Sequence, residues 1–372
     1  MPKILSAVAC NLDANILAAC LPLFEESRVE AIEWSFDALY KVKEVPGWFR
    51  ELLSAFSDEN RLIGHGVFFS LFSGKWLPEQ EAWLSHLQQT ATEFSFDHIT
   101  EHFGFMTGED FHHGAPLNIP YSSSTLNIGK DRLKRIYHAC GRPVGLENLA
   151  FSYSLDEVKR HGTFLEQLLE PVNGFIILDL HNLFCQLKNF DLDFNTLISL
   201  YPLDKVREIH ISGGSWDDSA AAPDRSIRRD THDESVPPEV FQLLEMTIPQ
   251  CPNLKYVVLE QLGNGLQSTA SKQGFYNDFL QMQEIAQQHN YKEGNPFLPL
   301  ESLPIITGAA IEDLRLYQQQ LELSAILENA GTYAEAMQQL QQSSLAHSDW
   351  KIEEWEPYMI ETAVKIARKW KK

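Results

Sequence analysis

Short runs of β-branched and apolar residues alternate along the chain with longer stretches whose apolar positions recur every three or four residues. Runs of the first kind predict strands, and stretches of the second kind amphipathic helices. Strands are expected over 4–9, 29–35, 61–68, 96–102, 143–149, 175–180, 206–212 and 255–260, and helices over 13–26, 46–57, 79–94, 125–140, 154–169, 193–201, 237–250 and 271–290. Ser or Pro ahead of early acidic residues marks several helix starts, as in "SLDEV" at 154–158 and "PEQEAWL" at 78–84. Strand–helix alternation repeated eight times predicts an α/β fold, a (β/α)8 barrel.

The pattern changes at "YKEGNPFLPLESLP" (291–304), which is rich in Pro and Gly. Beyond it the periodicity is helical only. The chain therefore divides into a barrel of residues 1–292, a linker of 293–307 and a helical carboxy-terminal extension of 308–372. The extension is long enough for two to four helices, and packing on the barrel is its expected role, ahead of docking a partner or dimerisation.

In such a barrel the chemistry sits at the carboxy-terminal ends of the strands. Here the third strand ends with His65, the fourth with Glu101 and His102, and the fifth with Glu147 and Asn148. The sixth ends with Asp179, followed by His181 and Asn182; the seventh ends with His210 and the eighth with Glu260. A single histidine at a strand end is unremarkable, but six consecutive strands finishing on His, Asp or Glu form a pattern. Side chains alternate along a strand. If His65, His102, Glu147, Asp179, His210 and Glu260 point inward, so do Ile63, Thr100, Gly145, Ile177, Glu208 and Val258. Arg61 shares this parity, and a buried Arg61–Glu208 pair would account for both charges. Glu101 then points outward and becomes a supporting candidate, with Asn148, His181 and Asp233.

The segment 212–236 follows the seventh strand and contains "SIRRDTHDESV", whose Asp230 and His232 can fold over the mouth. That gives eight candidate ligands: His65, His102, Glu147, Asp179, His210, Asp230, His232 and Glu260. One ion takes three to six ligands, so eight imply at least two ions and suit three. A set of nitrogen and oxygen donors without thiolate suits iron, manganese or zinc, and spacing alone does not choose among them. Arg228 and Arg229 on the same loop are candidate contacts for an acidic peptide.

Charge narrows the partners. The formal net charge is −21, which repels a phosphate backbone and argues against nucleic acid as a partner. No apolar run is long enough to span a membrane, and "MPKILSAVACNLDANIL" lacks the pattern of a secretory signal. Five cysteines without CxxC spacing suit reduced thiols in a cytoplasm.

The order of "GHGVFFSL", "TEHFGF", "LNIPYSSSTL", "GLENLA", "LDLHNL", "IHISGG", "DTHDESVPPEV" and "VLEQLGNG" resembles the multinuclear non-haem iron oxygenases. That family was long of unknown function, and it includes the oxygenase subunit of methanobactin biosynthesis. The similarity runs from about residue 3 to residue 290, within the xylose-isomerase-like barrels. It implies two or three iron ions of mixed Fe2+/Fe3+ state, O2 as co-substrate and a ribosomal precursor peptide modified at cysteine. It also implies a small partner protein that grips the peptide leader. Carried onto this chain, the ligands are His65, His102, Glu147, Asp179, Asn182, His210, Asp230, His232 and Glu260. Asn182 departs from the histidine found three residues after the corresponding aspartate in endonuclease-IV-like barrels, and a neutral amide there implies a weaker third position. A zinc or manganese phosphodiesterase, a sugar isomerase or epimerase, and a metal-storage barrel are the alternatives that the residues leave open.

Overall fold

Eight short strands close into a barrel in sequence order, with all eight pairings parallel. They are Leu5–Ala9, Ala31–Trp34, Leu62–Gly66, Phe96–Glu101, Val144–Glu147, Phe175–Asp179, Val206–Ile211 and Tyr256–Leu259, referred to below as the first to eighth strands. This computed structural model describes residues 3–40, 42, 45–106, 116–290, 304–306 and 308–370. The (β/α)8 architecture is the one the periodicity predicts.

Two layers of apolar side chains follow from the strand alternation. Val8, Ile32, Leu62, Ile99, Leu146, Leu178, Ile209 and Val257 face the helices in one continuous core. Ala7, Ala31, Ile63, Tyr256 and Val258 form a separate, smaller cluster inside the barrel. At Gly145 a side chain would collide with the ring of Phe175, since a Cβ there would lie 2.4 Å from it.

Helices follow the strands where the pattern put them, with one exception. The exception is the crossover after the sixth strand. The sequence suggested 193–201, whereas the main helix is Leu180–Asn189, with only a short Phe194–Ile198 after it. It starts at once after the strand because Asp179 caps it, accepting from the backbone N–H of Asn182. Its buried face includes His181, Asn182, Gln186 and Asn189, and those polar residues hide the apolar period.

The expected Arg61–Glu208 pair does not form. Arg61 precedes its strand at the barrel rim, where its half-exposed side chain pairs with Glu59 at 3.1 Å. Glu208 does point inward and is fully buried, but its partner is His98, at 2.7 Å.

Beyond the barrel, helices Leu314–Asn329, Tyr333–Gln341 and Pro357–Trp370 pack into the same apolar core through residues such as Leu323, Leu340 and Ile360, joined by Trp350 from the connection between the last two. Of the expected linker 293–307, only 304–306 fall within the described residues. Among the described residues, no helix is long and apolar enough to cross a membrane.

One loop at the mouth is pinned by a single buried carboxylate. Asp37 accepts from the backbone N–H of Val67 at 3.0 Å and of Phe68 at 2.9 Å, and from Trp83 Nε1 at 3.0 Å. Asp37→Ala leaves three donors unmet just beyond His65. It is expected to lower unfolding stability by about 3 kcal/mol, measured by denaturant titration; a loss below about 0.5 kcal/mol, the range of a neutral surface change, would contradict this role.

Candidate metal centre

Strand alternation delivers His65, Glu147, Asp179 and His210 to the inside of the mouth, all buried. His102 and Glu260 lie one residue past the ends of their strands and complete the ring. The Nε2 atoms of His65 and His102 stand 2.9 Å apart, and Glu147 Oε2 lies 3.5 Å from the first and 3.2 Å from the second. His65 Nδ1 lies 2.8 Å from Thr100 Oγ1, whose proton goes to the carbonyl of Gly64 at 3.2 Å. Thr100 therefore accepts from Nδ1, which fixes the tautomer and leaves the Nε2 lone pair turned to His102 and Glu147. Burial and the neighbouring His102 push His65 down to about 4, so the ring is neutral at physiological pH. Two imidazole nitrogens and one carboxylate converging in this way form a ligand set for a cation.

A second group, Glu147, Asp179, His210 and Glu260, brings its donor atoms within 4.8 Å of one another. Glu147 belongs to both groups, as a bridging carboxylate would. Three buried polar atoms here lack a hydrogen-bond partner: Asp179 Oδ2, His210 Nδ1 and Asn182 Oδ1. An unmet buried carboxylate oxygen is costly unless something absent from the protein chain completes it. The Asn182 amide N–H groups are taken by Glu147 Oε1 at 3.2 Å and the Asn148 carbonyl at 2.8 Å, so its oxygen is turned to the site. Asn148 ties the fifth strand to the sixth, accepting from Asp179 N at 2.7 Å and donating to the Asp179 carbonyl at 3.1 Å.

Beneath His210 lie two carboxylates that the strand ends alone do not reveal. The histidine Nε2 stands 3.1 Å from Glu33 Oε2 and 3.4 Å from Glu208 Oε1, while Nδ1 faces Glu260 Oε2 at 3.3 Å. Glu208 thus pairs with Nε2, with Glu33 beside it as a second negative charge, and Nδ1 is left to the mouth. Burial alone would raise Glu208, but His98 and His210 beside it hold it down at about 2. Glu33 had a signal: it shares the inward parity of Ala31 on the second strand, whose end was passed over. His98 had the same signal, two residues before Thr100.

The loop 212–236 folds back over this ring. It carries a two-stranded hairpin, Trp216–Asp218 with Ser226–Arg228. His232 Nε2 lies 2.8 Å from Asp230 Oδ1, and its Nδ1 lies 3.6 Å from Glu260 Oε2. His232 has a φ of 52°, an uncommon backbone state for a residue other than glycine. His181 accepts from Arg228 Nε through Nε2 at 3.1 Å, so its Nδ1 carries the proton and donates to Asp230 Oδ1 at 3.0 Å. His181 thus orients Asp230.

Arg228 is not a surface contact for a peptide: it is 4% exposed, held by His181 and stacked near Phe184 and Trp216. Arg229 is ion-paired with Asp217 at 2.6 Å. Asp233 serves the loop itself, accepting from Thr231 Oγ1. Glu101 points away from the ring, as its parity requires, and is buried where a side chain on Gly66 would strike it.

Comparison with known proteins adds a family. A model described as "RiPP precursor modification enzyme MbnB/TglH/ChrH" matches residues 27–271, which include every candidate ligand. The chain is similar to a UPF0276 protein of Acaryochloris marina, 28% identical over 191 residues that span 50% of this chain and 64% of that protein. A UPF0276 protein of Acinetobacter baylyi is 22% identical over 248 residues, 67% of this chain and 82% of its own. The matched part is thus under two thirds of the first of these relatives. Among solved structures, endonuclease IV from Thermus thermophilus has a similar fold, with a TM-score of 0.47, 11% identity, and coverage of 75% of this chain and 99% of that one. A xylose-isomerase-like barrel protein from Mycobacterium smegmatis gives a TM-score of 0.45, 12% identity, and coverage of 76% and 97%.

Proposed function

Because this chain belongs to the family of RiPP precursor modification enzymes that the MbnB/TglH/ChrH model describes, we propose that it is a multinuclear iron enzyme that uses O2 to modify cysteine in a ribosomally made precursor peptide. The observation that carries this reading is Glu147, one carboxylate common to two ligand groups whose remaining donors include unmet buried atoms.

His65, His102 and Glu147 would hold one ion, and Glu147, Asp179, His210 and Glu260 a second. Asn182, Asp230 and His232 would hold a third, more weakly, because an amide is a neutral ligand. Iron bound by these groups would supply redox chemistry with O2 and a seat for cysteine sulfur. The chain's own work is placement. Thr100 keeps the His65 lone pair on the site, Glu33 and Glu208 turn His210 Nδ1 toward the mouth, and the Arg228–His181 pair aims Asp230. Asp230 and His232 keep 26% and 20% of their side-chain surface exposed, so the loop that carries them borders the side from which a peptide would enter.

A small partner protein that holds the peptide leader belongs to this reading, as does the division into a barrel of 1–292 and an extension of 308–372. Five buried, unbridged cysteines support a reducing, cytoplasmic setting.

The test is co-expression with the small peptide encoded beside the gene and any neighbouring partner protein, followed by weighing the peptide. A mass change that requires cysteine and air, and that disappears in His65→Ala and His210→Ala, is expected. An unmodified peptide in every combination sinks the reading.

The loop ligands can be checked separately. Asp230→Ala and His232→Ala should each lower the metal content by up to one ion per chain while leaving the circular dichroism unchanged, since the loop adds ligands but little core. An unchanged metal count in both variants, read by plasma mass spectrometry, would remove the loop from the ligand set.

A further inference from the structure

The mouth of the barrel is held partly by residues far outside the matched segment. Glu361, on the helix Pro357–Trp370, accepts three hydrogen bonds from the turn of the loop hairpin: Ser219 Oγ at 2.7 Å, Ala220 N at 3.2 Å and Ala221 N at 3.0 Å. One turn later Lys365 donates to the Asp218 carbonyl at 2.9 Å. Among the described residues the hairpin is a separate two-stranded sheet. Ribbons of that kind are marginal alone. Its second strand, Ser226–Arg228, runs directly into Arg229 and Asp230. That strand is held at its far end by Asn189, which accepts from Arg228 N at 2.8 Å and donates to the Arg228 carbonyl at 3.0 Å, and Glu361 adds the hold at the turn, so both ends of the path to Asp230 and His232 are fixed.

Two other loops that follow ligand-bearing strands are held by the same region. Beyond the third strand, Gly74 N donates to Gln320 Oε1 at 2.9 Å, and the Gly74 carbonyl accepts from Asp313 N at 2.7 Å. Beyond the fifth strand, Trp355 stacks on Tyr153 with ring centroids 3.7 Å apart and planes 7° from parallel.

We infer that the carboxy-terminal helical region is a working part of the metal centre: Glu361 clamps the hairpin and so positions Asp230 and His232 as ligands. Glu361 touches no reacting atom and is a positioning residue. The inference rests on the reading of those two side chains as metal ligands, and it extends the site beyond the family core to a segment with no ligand of its own.

The test uses the full chain as wild type, Glu361→Gln and Glu361→Ala, each titrated with Fe2+ without air. Bound metal is counted, and amide exchange is followed over residues 214–232. In Glu361→Ala the weakest-held ion should bind about ten-fold less tightly, the scale on which outer partners tune metal sites. The other ions should stay, and the hairpin amides should exchange faster. Glu361→Gln, whose one amide oxygen can accept from Ser219 Oγ and Ala221 N but not also from Ala220 N, should fall between. If wild type loads and Glu361→Ala matches it in both metal titration and exchange, the clamp is wrong while the ligand reading stands. If wild type takes up no metal at all, the ligand reading fails and the inference falls with it.

Discussion

Glu147→Gln is expected to cost the protein more than one metal ion per chain and to lower peptide modification by more than about a hundredfold. That exceeds the ten- to hundredfold range typical of changes outside the ligand shell. The residue serves two groups at once. Oε2 faces both His65 and His102, and Oε1 accepts from Asn182. Glutamine matches its volume but brings one acceptor oxygen and no charge, so the first group loses its sole carboxylate and the second loses the one it shares with the first. The same change relieves repulsion among buried acids, because Glu147 acts on both Glu101 and Asp179 to disfavour their ionised forms. The metal-free variant should therefore melt no lower than the metal-free wild type. Metal per chain, peptide mass and melting temperature are the readouts. A variant with its full complement of metal would end the bridging assignment.

Asp179 should separate into two roles when replaced in two ways. One oxygen accepts from Asn182 N at 2.6 Å and starts the helix Leu180–Asn189; the other has no partner. Asn caps helices about as well as Asp, whereas Ala does not cap. Asp179→Asn should therefore keep the helix and lose the ligand charge, with activity falling more than about a hundredfold. Asp179→Ala should lose that activity and a further increment of about 1 kcal/mol in unfolding stability relative to the Asn variant. Denaturant titration of the two metal-free proteins gives the second quantity, and peptide mass the first. Full activity in Asp179→Asn would reduce Asp179 to a cap.

The barrel and the inner ring were legible because both depend on local period. Alternation of two sets which side chains share the interior, and the strand ends were the places to look. His65, Glu147, Asp179 and His210 sit where parity put them. Partners across the barrel were not legible, since they depend on register between strands distant in sequence. Glu208 was read as inward, correctly, but given to Arg61, which at the rim has water as an alternative. Its partner is His98 from the fourth strand. Glu33 escaped because an acid inside "AIEWS" reads as an ordinary exposed residue until the interior is known to be polar at that height. The helix Leu180–Asn189 escaped because both its faces are buried, one of them against polar groups. Arg228 stands among charges in the sequence and so reads there as a candidate peptide contact, although it is buried. In the fold it turns inward onto His181.

The clamp between Glu361 and the hairpin also sets an order of assembly. Ser219 and Glu361 are 142 positions apart, and Gly74 and Gln320 are 246 apart. Chains emerge from the ribosome at about 5–20 residues per second, and earlier segments fold while later ones are still being made. The strands and their histidines can thus come together before the helix that steadies the hairpin has been synthesised. For several seconds the nascent barrel would hold its ligands with the hairpin turn not yet clamped. Metal entering in that interval would reach the inner ligands before Glu361 steadies the hairpin.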